Sequence, residues 1–113
     1  MIPHQISLEE AIALTTRYRN NPVTDAPLSE TYDADSVQAL LNQQGSQSFR
    51  LYLGRKSDQR ICTVLVAVDA NGQDILPPTG LVTLSEDEGI ILEDAIQCPP
   101  ICPPPSPLNE LHE

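Results

Sequence analysis

Ile61-Cys62-Thr63-Val64-Leu65-Val66-Ala67-Val68 is an almost unbroken apolar run, rich in β-branched residues. Such a run reads as a central β-strand buried on both faces, because branched side chains pack well on a pleated surface and no position is spared for water. A central strand needs a neighbour along each edge. Upstream, Phe49, Leu51 and Leu53 alternate with Arg50 and Tyr52, the period of a strand with one dry face. Gly54 to Gln59 is polar and turn-like between the two. Downstream, Asn71-Gly72 is a strong hairpin signal, since both residues tolerate positive φ. With those two at the tip, Ala70 falls opposite Gln73 and Val68 opposite Ile75. Pro77-Pro78 ends the returning strand and keeps it from the centre of a sheet, because proline cannot donate to a ladder.

The remaining apolar periodicity is helical. Ser7 and Glu10 have the spacing of a capping box. From there Leu8, Ala11, Ile12, Thr15 and Tyr18 recur at three- and four-residue steps, with Leu14 widening the stripe. Asn20-Asn21-Pro22 stops this helix. A second, shorter helix is expected after a cap at Asp33 or Asp35, with Ala34, Val37, Leu40 and Leu41 as its stripe and Gly45 as its stop. The fold class expected is α+β. Two N-terminal helices pack on one face of a small antiparallel β-meander built from residues 49–54, 61–70 and 73–76. One domain spans residues 1–97, and a proline-rich C-terminal tail spans residues 98–113, as a strap on the domain or a docking segment. Between Gly80 and Ile96, Leu81-Val82-Thr83-Leu84 and Ile90-Ile91-Leu92 read as two more strands around the acidic loop Ser85–Gly89, with a helical turn over Leu92 to Ile96 as the alternative.

Composition narrows the function classes. In 113 residues, 6 basic side chains face 16 acidic ones, for a net charge of -10. This length supports one compact unit. Nucleic acid is an unsuitable partner for so acidic a chain. No apolar run approaches the ~18 residues of a membrane span. Met1-Ile2-Pro3-His4-Gln5 lacks the basic and apolar regions of a signal peptide, so a cytoplasmic protein is expected, where a disulfide framework would not persist. All six basic residues lie in residues 1–60, which carry a net -1, whereas residues 61–113 carry -9. That asymmetry serves solubility, or docking on a basic partner.

Cys98-Pro99-Pro100-Ile101-Cys102-Pro103-Pro104-Pro105-Ser106-Pro107 holds six of the eleven prolines. The segment is expected to be extended and poor in internal hydrogen bonds. It admits four readings: a structural strap, a ligand for a proline-recognising groove through the PxxP spacing Pro100–Pro103, a metal site at Cys98 and Cys102, or a redox disulfide between them. Zinc prefers four nitrogen or sulfur ligands, and only Cys62, His4 and His112 could add to that pair, with Cys62 in the apolar strand. Asp69 to Asp74 fails as an EF-hand start, because the positions requiring Gly and Glu are Asp74 and Gly80. No nucleophile elbow, phosphate-binding glycine loop or His-Glu-x-x-His pair occurs, so no enzyme and no cofactor are expected. The function expected is a non-catalytic interaction protein. It engages a protein partner or a second copy through its acidic C-terminal half or through Pro99, Pro100, Ile101, Pro103, Pro104 and Pro105. The alternative is a thiol or metal site at Cys98 and Cys102, completed across a dimer.

Ser7-Leu8-Glu9-Glu10-Ala11, Ala39-Leu40-Leu41-Asn42, Val68-Asp69-Ala70-Asn71-Gly72 and Cys98-Pro99-Pro100-Ile101-Cys102-Pro103 together resemble a group of small uncharacterised bacterial proteins. The resemblance implies a bacterial cytoplasmic setting. It brings no activity, cofactor or site residue with it.

Overall fold

The computed structural model describes residues 2–78 and 89–110. Its elements are α1 (Leu8–Asn20), β1 (Ser29–Thr31), α2 (Ala34–Leu41), β2 (Ser48–Arg55), β3 (Ile61–Val68), β4 (Asp74–Ile75), β5 (Ile91–Leu92) and β6 (Ile96–Cys98). They group into two compact units, residues 31–96 and residues 1–30 with 97–113. Two helices and antiparallel sheet make the class α+β.

In the larger unit β3 is the organising strand. It pairs antiparallel with β2 along its whole length, from Ser48 opposite Val68 to Arg55 opposite Ile61. Its other edge is shared: β4 takes Ala67 and Val68, and β5 takes Leu65 and Val66. The prolines at 77 and 78 explain the sharing, since they end β4 early and leave Leu65 and Val66 on that edge for Leu92 and Ile91. Gly89 serves the same handover: it adopts φ +103°, and a Cβ there would come within 2.5 Å of the Pro77 backbone nitrogen. Cys62, Leu65, Val66, Ala67 and Val68 are all buried, as the apolar run requires.

The hairpin from β3 to β4 differs from the sequence expectation by one residue. Ile75 lies opposite Ala67, not Val68. The Asp69 side chain accounts for the shift, because its Oδ1 accepts from the backbone N–H groups of Asn71 and Gln73 at 2.9 and 3.0 Å. Asp69 N–H also donates to the Gln73 carbonyl. The loop is therefore three residues, Ala70-Asn71-Gly72, with Gly72 at φ +80° taking the left-handed position that such loops favour. Of the further elements expected after Gly80, β5 forms from Ile91-Leu92, and no helical turn covers Leu92 to Ile96. The stretch Leu81–Leu84 lies outside the described residues.

α2 is capped as expected, with Ser36 N–H donating to Asp33 Oδ2. It ends at Leu41 with Asn42 as its C-cap, before Gly45. Leu40, fully buried, packs with Leu65 and Ala67, and Tyr32, Ile75, Ile90 and Leu92 close around them. The Tyr32 hydroxyl donates to the Thr63 carbonyl at 2.9 Å. The dry face expected on β2 does not form: Phe49, Leu51 and Leu53 share the Leu40 side of the sheet by register, yet are 49%, 52% and 75% exposed. An eight-residue helix spans only ~12 Å, and its one fully buried side chain sits over β3 rather than β2.

The two helices expected to share that sheet fall in different units. α1 belongs with the C-terminal segment and buries none of its residues completely. Its capping box is present, with Glu10 N–H donating to Ser7 Oγ at 3.1 Å. Leu8 and Leu14 of its expected stripe are exposed. β1 and β6 form a two-stranded sheet, in which Gln97 Nε2 donates to Glu30 Oε2 at 2.7 Å.

Leu40 is the point on which the larger core converges. Leu40→Ala should lower unfolding stability by ~2–5 kcal/mol, the range for truncating a buried leucine, measured by urea denaturation. A loss within experimental error would mean that the α2–β3 layer is not a core.

Candidate functional site

The cysteine-proline segment is built as a projecting turn between two anchors. The first anchor is β6, where Leu28 N–H donates to the Cys98 carbonyl at 2.7 Å and both Gln97 and Cys98 are buried. The second lies at residues 106–110. There Asn109 ties the chain to itself, its Oδ1 accepting from Ser106 N–H and its Nδ2 donating to the Pro104 carbonyl. Arg19, in the last turn of α1, then donates from Nη1 to the Leu108 carbonyl at 2.5 Å and from Nη2 to the Glu110 carbonyl at 2.6 Å.

Between the anchors the chain is not extended, and the sequence expectation is corrected. Cys98 and Cys102 are joined by a disulfide, with their Cα atoms 4.5 Å apart. Ile101 N–H closes the turn on the Gln97 carbonyl at 3.0 Å. The peptide bonds preceding Pro99 and Pro100 are cis. Proline content alone argued for an open chain, but a covalent bond across five residues overrides that tendency. Pro99, Pro100, Ile101, Cys102, Pro103, Pro104 and Pro105 are all exposed, and Ile101 reaches 65%. The structure therefore brings the six candidate contact residues together on one knuckle, stiffened by rings and a sulfur bridge.

Of the readings left open for Cys98 and Cys102, the bonded pair is the one present in the structure. In the bonded form neither sulfur is a thiolate, and thiolate is the form that binds metal or attacks a substrate. Cys62 is a free thiol, buried in β3. Among the described residues no group of three or more His, Cys, Asp or Glu side chains converges to hold a metal ion. His4 is exposed; His112 lies outside the described residues. Among the described residues no helix is long and apolar enough to cross a membrane.

A shallow depression in the larger unit is lined by Tyr32, Asp33, Ser36, Glu93 and Asp94 among others, a set with the residue types for acid–base work. Its polar groups are already engaged. Tyr32 reaches Thr63, Asp33 caps α2, and Glu93 and Asp94 both accept from Lys56 Nζ, at 2.7 and 3.2 Å. Those bonds, the one to Glu93 foremost, hold the Lys56 ammonium well above the ordinary lysine range. On the opposite side of the sheet from Leu40, Asp74 accepts from Arg50 Nη1 at 2.5 Å and from the Tyr52 hydroxyl at 2.6 Å. Three carboxylates of the acidic half thus share two cations, Asp74 with Arg50, and Glu93 and Asp94 with Lys56, which leaves most of the negative charge of that half unmatched by these pairs.

Sequence reasoning missed the second anchor. Nothing local to Arg19 ties it to residues 108 and 110. Ser106-Pro107, a turn-initiating pair, was the signal for the turn that receives it. Comparison with known proteins finds no matching family model, curated relative or solved structure, so the resemblance of the four quoted segments assigns no family.

The Lys56 pairs set a pH dependence. A lysine whose pKa is raised on folding contributes stability that is fully present below its unfolded value and is lost as pH rises through the folded one. Lys56→Met should therefore lower the thermal midpoint equally at about pH 6 and about pH 9, with the difference shrinking only above about pH 10.4. Thermal scans across that range check it; a difference that disappears between pH 6 and 9 contradicts it.

Proposed function

We propose that this protein is a non-catalytic interaction module that docks a partner protein through the knuckle Pro99–Pro105. The observation that carries the reading is the contrast within one short segment. Both flanks are tied down by backbone hydrogen bonds, while every proline and Ile101 between them faces water. A strap would press those rings against the domain. A docking element holds them out, and the Cys98–Cys102 bond fixes their arrangement before binding, which reduces the ordering cost of association. The spacing Pro100–Pro103 does not act here as an open PxxP ligand, because the turn at Ile101 interrupts extended geometry. The partner's complement is accordingly a pocket that accepts an aliphatic tip, rather than a long aromatic-lined groove. A knuckle fixed by this bond needs a setting that does not reduce it, so this reading does not keep the cytoplasmic setting expected from the sequence.

Ile101→Asp is the discriminating variant, since an exposed side chain can change without unfolding the protein. Burying a leucine-sized tip contributes ~1.5–3 kcal/mol, so affinity for a captured partner should fall about tenfold or more. The Cys98→Ser, Cys102→Ser double variant should weaken capture as well, by loosening the knuckle. Quantitative capture on immobilised wild-type and variant protein reads both. A partner held equally by wild type and Ile101→Asp would contradict the proposal.

A further inference from the structure

β2 carries an open edge and an uncovered apolar row in the same eight residues. The backbone bonds locate the edge. Lys56 N–H donates to the Arg60 carbonyl, so residue 56 points its main chain at β3. Asp69 N–H donates toward Gln73 on the other side, which leaves the even residues of β3 facing β2. Both observations agree that Ser48, Arg50, Tyr52 and Gly54 spend their main-chain groups on β3. Phe49, Leu51, Leu53 and Arg55 therefore direct theirs outward, and among the described residues no strand pairs with that side of β2. The side chains of Phe49, Leu51 and Leu53 line the same edge in a half- to three-quarters-exposed row.

Natural sheets blunt such edges with charge; on β2 the Arg50 charge is paired with Asp74, and the remaining cation, Arg55, stands at the end of the strand, beyond Phe49, Leu51 and Leu53. Arg50 is held by Asp74, Arg55 donates to the Gln59 carbonyl, and Lys56 is held by Glu93 and Asp94. We infer that β2 pairs antiparallel with β2 of a second copy of this chain, about a two-fold axis at Leu51. That register follows from three requirements. Antiparallel partners must show the same face, so the two residue numbers of each pair must sum to an even value. The outward main-chain groups of the odd residues must meet each other. Like charges must not stand opposite.

Centring on Leu51 satisfies all three. Leu51 meets Leu51 of the other copy, Phe49 meets Leu53 and Arg50 meets Tyr52; the ladder stops short of Gln47, whose N–H is already donated to the Val68 carbonyl of β3. Centring on Arg50 would oppose two guanidinium groups, and centring on Tyr52 would set Phe49 against Arg55. The contact is self-complementary, as an isologous dimer demands. It is also small: an eight-residue edge about 27 Å long and one sheet thickness of roughly 10 Å offers far less than the roughly 800 Å² per partner of a permanent complex. The dimer is therefore weak and reversible.

Sedimentation velocity over a concentration series, with three variants, tests this. Wild type should rise from the single-chain mass toward twice that value. Leu51→Lys, at a position already exposed, should keep the wild-type circular dichroism and lose the dimer. Leu51→Cys should cross-link to itself on mild oxidation at least tenfold faster than Leu53→Cys, because the two-fold sets its Cα atoms ~5.5 Å apart, inside the range a disulfide spans. A wild type that stays at the single-chain mass at every concentration overturns the inference. So does a dimer that survives Leu51→Lys, equal cross-linking at 51 and 53, or an edge that takes up only a foreign apolar peptide.

Discussion

A strand with no wet side must have every main-chain group paired along both edges, and β3 imposes that demand on the whole larger unit. Buried peptide groups left without partners cost several times the net gain of a typical hydrogen bond. β2 meets the demand along one edge in full register. The other edge is met piecewise, because Pro77 cuts β4 short and the chain must return with Ile91 and Leu92. The side-chain half of the same constraint is met by Leu40, which closes the face carrying Leu65 and Ala67. Burial thus concentrates on β3, and β2, although fully paired on its inner side, keeps an apolar row in water.

Much of this was legible in the residues themselves. β-branched density marked β3, alternation marked β2, and the side chains of Ser7 and Asp33 marked where the helices begin. These are local signals, each decided by a few neighbours. The misreadings share a different origin. The hairpin moved by one residue because a single carboxylate, Asp69, captured two main-chain donors and lengthened the loop. β2 stayed exposed because alternation reports which face prefers burial, not whether enough covering surface exists. An amphipathic stripe does not name its partner, and α1 falls in the unit of the C-terminal segment. Its Arg19 is spent some ninety residues away, on the Leu108 and Glu110 carbonyls.

The C-terminal segment shows the same division. Its composition identified Pro99 to Pro105 as the distinctive surface, and those residues do stand together and exposed. Its shape was not legible, since proline statistics describe an unconstrained chain and the Cys98–Cys102 bond constrains it. Charge behaved similarly. The imbalance of -9 in the second half suggested an acidic face, but Asp74, Glu93 and Asp94 are matched by Arg50 and Lys56 from the first half. Two basic residues of the first half thus meet three acids of the second.

Amide hydrogen exchange followed by NMR tests the primacy of β3 most directly. Protection tracks local opening, and the most protected amides report the last element to open. The slowest-exchanging amides should be those of Val64, Leu65, Val66 and Ala67, which pair inward on one edge or the other, with α1 exchanging far sooner. Protection at β3 no greater than at Leu8–Asn20 would contradict the account.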